Sequence, residues 1–373
     1  MSPSFIPPAR PEIGDAEIDA AVRVLRSGMV VQGPEVRAFE EEFSPHVGGA
    51  HCVAVNSGTS ALHLALLAMG IGPGDEVLVP SFSFAASANA IRLVGADPVF
   101  VDIDPASFCL DPSAAEAAIT PRTRAVMPVH LYGHPADMTA IGALAERHGL
   151  LVLEDAAQAH GAQWAGRAVG SFGTTAAFSF YPTKNMHSLE GGMVTTGDAD
   201  LARTLRLLRN QGMEQRYANE IVGTNTRLTD VAAAIGRVQL AKLAGWNDVR
   251  RAHAARLDAG LADLPGVTVP PVAAAAVHVY HQYTIRVADG RRDEVQKALQ
   301  EAQVGSAVYY PTPIHRLRPF LPGAHPHNRD WDLPATERAA AEVLSLPVHP
   351  ALSNVDVDRV IEAVAAAVGR GNS

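Results

Sequence analysis

Only two cysteines, Cys52 and Cys109, stand among 373 residues. Both lie in or beside apolar segments, which reads as two buried free thiols in a reducing compartment rather than a disulfide. No apolar run approaches the ~20 residues of a membrane-spanning helix. The first ten residues hold three prolines and no apolar h-region, so they are not expected to form a secretory signal. Positive charge is in short supply, with 30 Lys and Arg against 39 Asp and Glu and a formal net charge of −9. No basic stripe with interleaved aromatics is present, which argues against a nucleic-acid surface. These absences predict a cytoplasmic protein with no membrane and no nucleic-acid partner.

Histidine is plentiful at 15 residues, but its spacing does not suggest a metal. His130 and His134 are four apart, yet Tyr132-Gly133 lies between them and Pro135 follows, so a shared helix face is not expected. His325 and His327 fall in a Pro/Gly-rich loop. No zinc spacing is visible, and no metal is expected.

With 47% hydrophobic and 18% charged residues, the chain can bury a large core and form two domains. The N-terminal stretch to about residue 11 reads as an extended arm. Residues 13–27 follow a helical period that places Ile18, Ala21, Val22 and Leu25 on one face. From residue 51 short β-rich runs alternate with helical ones. Strands are predicted over 51–55, 76–80, 98–101, 125–128, 150–153, 176–180 and 192–195. Helices are predicted over 60–69, 83–94 and 138–148. Such alternation implies an α/β fold with a mostly parallel sheet, whose ligand lies outside the carboxyl ends of the strands. Helices are then expected over 201–209 and 230–261, the latter bridging out of a large domain (1–245). A strand over 283–287 and helices over 292–303, 335–344 and 355–368 make a smaller C-terminal α/β domain (246–373).

Three short motifs carry chemistry. Asn56-Ser57-Gly58-Thr59-Ser60 closes a strand and opens a helix, where unpaired amides and hydroxyls suit a phosphate. By itself it reads equally as a Ser N-cap after a turn. Asp155 ends the apolar run Leu150-Leu151-Val152-Leu153-Glu154, and a buried acid needs a partner. A cationic pyridinium would serve, and Gln158 stands close enough in sequence to reach the same ring's oxygen; helix capping is the ordinary alternative. Lys184, in Ser179-Phe180-Tyr181-Pro182-Thr183-Lys184-Asn185-Met186, follows another strand, and Ser179 offers a further hydroxyl. A buried lysine has a depressed pKa and a nucleophilic amine, able to form a Schiff base with an aldehyde cofactor. Asp102 and Asp104 raise a rival, a metal-dependent glycosyltransferase pair, although Asp-Ile-Asp-Pro is also an ordinary strand exit.

The order of Gly-Thr-Ser, Asp155-Ala-Ala-Gln-Ala-His-Gly and Ser179-Phe-Tyr-Pro-Thr-Lys-Asn resembles the DegT/DnrJ/EryC1/StrS sugar aminotransferases, of fold-type I architecture. The resemblance runs from about residue 6 to 366. It takes in Leu208-Arg209-Asn210-Gln211-Gly212, Gly223-Thr224-Asn225-Thr226-Arg227, Tyr310-Pro311-Thr312-Pro313-Ile314-His315 and Leu344-Ser345-Leu346-Pro347. It implies that Lys184 carries pyridoxal 5′-phosphate (PLP) and that Asp155 pairs with the pyridine nitrogen. Gln158 would approach the ring hydroxyl and Phe82 would stack on the ring. Gly58, Thr59, Ser60 and Ser179 would bind the phosphate, and Asn225 the phosphate in the other subunit of a homodimer with shared sites. Tyr310, His315 and the loop containing His187 would face the substrate.

The implied reaction passes an amino group from glutamate to a nucleotide-linked keto sugar in amino-sugar biosynthesis. Glu190-Gly191-Gly192 after the lysine loop resembles relatives acting on a 4-keto-6-deoxyhexose carried by dTDP. The alternatives are a 3-keto sugar-nucleotide aminotransferase, a PLP-dependent sugar dehydratase of the same fold, or a PLP-binding regulator without turnover. The dehydratase branch has histidine at the position of Lys184.

Overall fold

In the computed structural model, which describes residues 4–369, seven strands form one sheet. Their order is His51–Val55, Gly192–Thr196, Thr175–Ser179, Leu151–Asp155, Thr123–Val126, Glu76–Pro80, Asp97–Val101. All neighbours run parallel except Gly192–Thr196, which is antiparallel to both of its own. The strands are short, β-branched and buried on both faces, as a sheet covered by helices on each side requires. One helical layer includes Gly58–Ala68 and Ala86–Leu93; Met138–His148 lies in the other. Every strand of the parallel set delivers its carboxyl end to the same edge. That edge is where Asn56, Ser81, Asp155 and Phe180 begin their loops.

A second, antiparallel sheet of Val267–Thr268, Tyr283–Val287 and Val343–Leu346 is covered by the helices Arg292–Glu301 and Asn354–Gly369. The helix Asp230–Leu261 spans 32 residues. It packs on Asp15–Ser27 and Pro34–Phe43 near its start and on Asn354–Gly369 further along. The expected domain limit at 245/246 falls inside this helix, and the outer limits at 1 and 373 lie outside the described residues. Ile6, on the N-terminal arm, is buried with the C-terminal cluster and exchanges backbone bonds with Gln303 and Gly305.

Two expectations are corrected. Residues 335–344 do not form one helix: Pro334–Glu342 is helical and Val343–Leu346 is a strand, because Leu344 and Leu346 are needed in the small-domain core. On the helix Asp15–Ser27 the buried face is Glu17, Ala20 and Val24, while Ile18 and Leu25 point to solvent at 51% and 59% exposure. The apolar period was real, but a charged residue, Glu17, took the inner face. Its carboxylate meets Lys242 at 2.6 Å and Gln239 at 2.8 Å.

Candidate active site

Strand alternation separates the two acids at the end of Leu151–Asp155. Glu154 is fully buried and accepts from the amides of Gly170 (2.9 Å), Phe172 (2.7 Å) and Gly173 (2.8 Å), with His130 Nε2 at 3.1 Å. Its charge is consumed holding a loop. Asp155 faces the crevice. It accepts from Ser87 Oγ at 2.7 Å and from the Ala157 amide at 3.2 Å, and no cation is bonded to it. Burial pushes its carboxyl up, opposed by the Ser87 bond and the nearby Lys184 charge.

Lys184 sits on the turn after Thr175–Ser179, with its amide on the carbonyl of Tyr181 at 2.9 Å. Burial lowers its amine to about 8, with Asp155 pulling the other way. Lysine and aspartate thus face one another from neighbouring strands, each short of a bonded counter-charge.

The phosphate-type cradle lies at the start of Gly58–Ala68. Ser57 caps the helix, accepting from the Ser60 amide at 3.1 Å and donating to Ser60 Oγ at 3.0 Å. The amides of Gly58 and Thr59 fall in the first turn, where a helix provides no internal acceptors. A Cβ at Gly58 would lie 2.7 Å from Ser179 Cβ, so glycine is what lets this turn close on the next strand end. The structure brings Gly58, Thr59, Ser60 and Ser179 together as expected. Gln158 accepts from the Tyr132 amide at 2.7 Å and donates to the Tyr310 hydroxyl at 3.1 Å, fixing Tyr310 above the same crevice.

The aromatic assignment is corrected. Phe82 is fully buried against Phe108 and Tyr132 in the core and presents no face to the crevice. Phe84 is 59% exposed, with its ring 5.9 Å from that of Tyr310. The chain has left the strand at Pro80, and the loop turns the second phenylalanine outward. Ser87, the partner of Asp155, carried no sequence signal. His315 is also corrected. Its Nδ1 meets Ser81 Oγ at 2.7 Å and its Nε2 meets Glu337 at 2.9 Å, so neither nitrogen is left for a substrate. It clamps the Tyr310 loop to the strand exit. His187 is buried, with Nε2 unpartnered, beside Lys184 in a small cavity. Asn225 lies on an exposed segment beside Asn210.

The rival acids are spent locally. Asp102 caps Pro334–Glu342 through the amides of Ala335 and Thr336 at 3.0 and 2.8 Å, and Asp104 holds Ala106 and Ser107. Among the described residues one His/Asp group gathers, Asp97 with His325 and His327. Its carboxylate already serves Arg92 and Arg122 as well as His327.

A buried carboxylate, a depressed lysine from the next strand and a glycine-closed anion cradle fit a phosphorylated pyridine aldehyde, and comparison with known proteins agrees. The chain belongs to the DegT/DnrJ/EryC1/StrS aminotransferase family. Residues 11–365 match it, and its cofactor is PLP. The dTDP-3-amino-3,4,6-trideoxy-α-D-glucose transaminase of Streptomyces venezuelae is 49% identical over 94% of this chain and 91% of its own. The crystal structure of S. venezuelae DesV superposes with a TM-score of 0.90, at 47% identity over 94% of each chain. That of NtdA from Bacillus subtilis, with bound cofactor PMP, gives 0.89 at 32% identity, covering 96% of this chain and 83% of that one.

Two contrasts test this site. Asp155→Asn should keep the fold but lower turnover roughly 10²- to 10³-fold, as removal of one preorganised charge does. Glu154→Gln should destabilise by about 3 kcal/mol, because one of its two acceptor oxygens becomes a donor facing buried amides. Urea melts and steady-state assays of both variants check the pair. Phe82→Ala should cost about 3–5 kcal/mol. Phe84→Ala should leave stability within about 0.5 kcal/mol and weaken PLP retention on dialysis.

Proposed function

We propose that this aminotransferase moves the amino group of glutamate onto a ketone of a deoxyhexose carried by a nucleoside diphosphate, dTDP being favoured. The observation that carries the reading is the facing pair of Asp155 and Lys184, joined to the similarity with the S. venezuelae transaminase. Lys184 would hold the aldehyde carbon of PLP, with Gly58, Thr59, Ser60 and Ser179 on the phosphate and Phe84 against the ring. When bound, PLP supplies an electron sink for breaking a C–H bond beside nitrogen. Asp155 would hold the ring nitrogen's proton, and a cation there would offset the burial that raises its pKa.

With its amine free, Lys184 would take the proton from the donor's α-carbon and deliver it to the cofactor's aldehyde carbon, across the nitrogen that joins the two. Burial, which lowers the amine to about 8, brings it toward the range in which one group can both accept and return a proton. Gln158 and Tyr310 form one wall, and His315 acts through the loop carrying Tyr310 rather than on substrate. The regulator alternative leaves this proton-transfer pair without a use.

The loop resemblance favours C4, and the 3-amino product named for the S. venezuelae relative favours C3. The relative, matched over nearly its whole length, weighs more than one tripeptide, and C3 becomes our preferred reading.

A homodimer with shared sites accounts for several solvent-facing apolar residues. Ile18, Leu25, Met29 and Val31 are half exposed or more, and Tyr217 and Val222, flanking Asn225, are 81% and 94% exposed. A second copy would cover them and receive Asn225 at its phosphate cradle. The two buried free cysteines suit a cytoplasmic site of action.

Incubation with glutamate alone should release 2-oxoglutarate and convert PLP to its amine form. Matched 3-keto and 4-keto dTDP-sugars, with the new amine located by NMR, then decide the ring position. Release of no 2-oxo acid from any amino acid would reject the assignment. Borohydride should fix the cofactor on Lys184 and nowhere in Lys184→Ala. Separately, mixed dimers of Lys184→Ala and Asn225→Ala subunits should regain activity, since one of their two sites has both residues intact. Verified heterodimers without recovery would remove the shared-site claim.

A further inference from the structure

Behind Lys184 lies a cavity of about 30 Å³ built from five separate parts of the chain. The arm contributes Arg10 and Glu12, the long helix Arg250, and the loops His187, His281 and His349. Arg250 is 94% buried, the complement of its 6% exposure. One of its terminal nitrogens donates to the carbonyls of Tyr280 and His281 at 3.1 and 3.3 Å, and its Nε is buried without a partner. Burial draws its pKa down to about 10, and no carboxylate offsets that.

Its titratable neighbours are His253, His281 and His349, all kept neutral by burial. Buried charges are normally paired, so a guanidinium lacking an anion at the edge of a cavity is a binding group awaiting one. Glu12 is the only acid in the lining, and one of its carboxylate oxygens is also buried and unpartnered. The arm that presents Arg10 is held in place by the Ile6 backbone bonds and by His349 Nε2 on the Pro7 carbonyl at 3.1 Å.

The geometry points to this cavity as the subsite for a carboxylate head of the amino donor, bound by Arg250 and Arg10 next to Lys184. The space holds roughly two or three waters, the size of a carboxylate head and too small for a diphosphate. A donor amino acid also brings an ammonium, and Glu12 offers the unpaired oxygen of matching sign. Guanidinium is the group suited to a planar carboxylate. The inference rests on the aminotransferase reading above.

The two half-reactions of the holoenzyme separate this idea from that reading. In Arg10→Gln, and in Arg250→Lys, which keeps a charge and a donor for the two carbonyls, glutamate should half-saturate the PLP-to-amine conversion at a concentration ten- to a hundredfold higher. The limiting rate should change less than threefold. The return half-reaction, from the amine form with keto sugar, should keep its half-saturation. Calorimetry of glutarate on the holoenzyme gives a second readout, expected to weaken at least tenfold in Arg10→Gln even if Arg250→Lys fails to fold. Unchanged glutamate and glutarate affinity in Arg10→Gln overturns the proposal. So does a loss of dTDP affinity instead, which would give the arginines to the nucleotide. Wild-type enzyme inert to every amino acid would refute the aminotransferase reading itself and this subsite with it.

Discussion

A carboxylate and an amine are held out of water within one crevice, and neither is given a bonded counter-ion. Asp155 has only a serine hydroxyl and one amide, and Lys184 has no acid bonded to its amine. Such a pair is costly to hold, because desolvation opposes both charged forms. The surrounding sheet makes the cost tolerable. Its strands, buried almost throughout, fix the positions from which the two side chains approach.

The neighbouring acid shows the opposite solution one residue away. Glu154 is more deeply buried than Asp155, yet three amides and an imidazole satisfy it. A saturated carboxylate organises structure, and an unsaturated one is available to a ligand. The same distinction sorts the other polar groups. Asp102, Asp104, Asp97 and His315 are fully engaged by the protein, whereas Arg250, Glu12 and His187 each keep a buried atom unpartnered.

Much of this was legible in the sequence. Strand runs such as 51–55 and 76–80 and the helix 138–148 match the expected bounds, and the helix Asp230–Leu261 ends about where expected, because the alternation of apolar runs is clear there. Lys184 and Asp155 were legible because apolar strands ending in a charge are unusual. Phe82 and Phe84 have the same chemistry, and only the path of the loop after Pro80 tells that Phe82 turns into the core and Phe84 outward. His315 read as a substrate contact because its motif sits beside the site, but its partners Ser81 and Glu337 are distant in sequence. Arg250 gave no signal, since an arginine on a helix is ordinary until its burial is known.

The chain passes between the two bodies repeatedly. Ile6 of the arm lies in the small-domain core, the helix Asp230–Leu261 runs unbroken out of the large domain, and Ile314, Phe320 and Leu333 return to the large-domain core before the strand Val343–Leu346. A body joined by one tether can swing, while one joined by a stiff rod and a pinned strap resists rotation about either. The frame that holds Asp155 and Lys184 is therefore braced at several points, and Phe84, exposed at the loop after Pro80, stands outside that bracing.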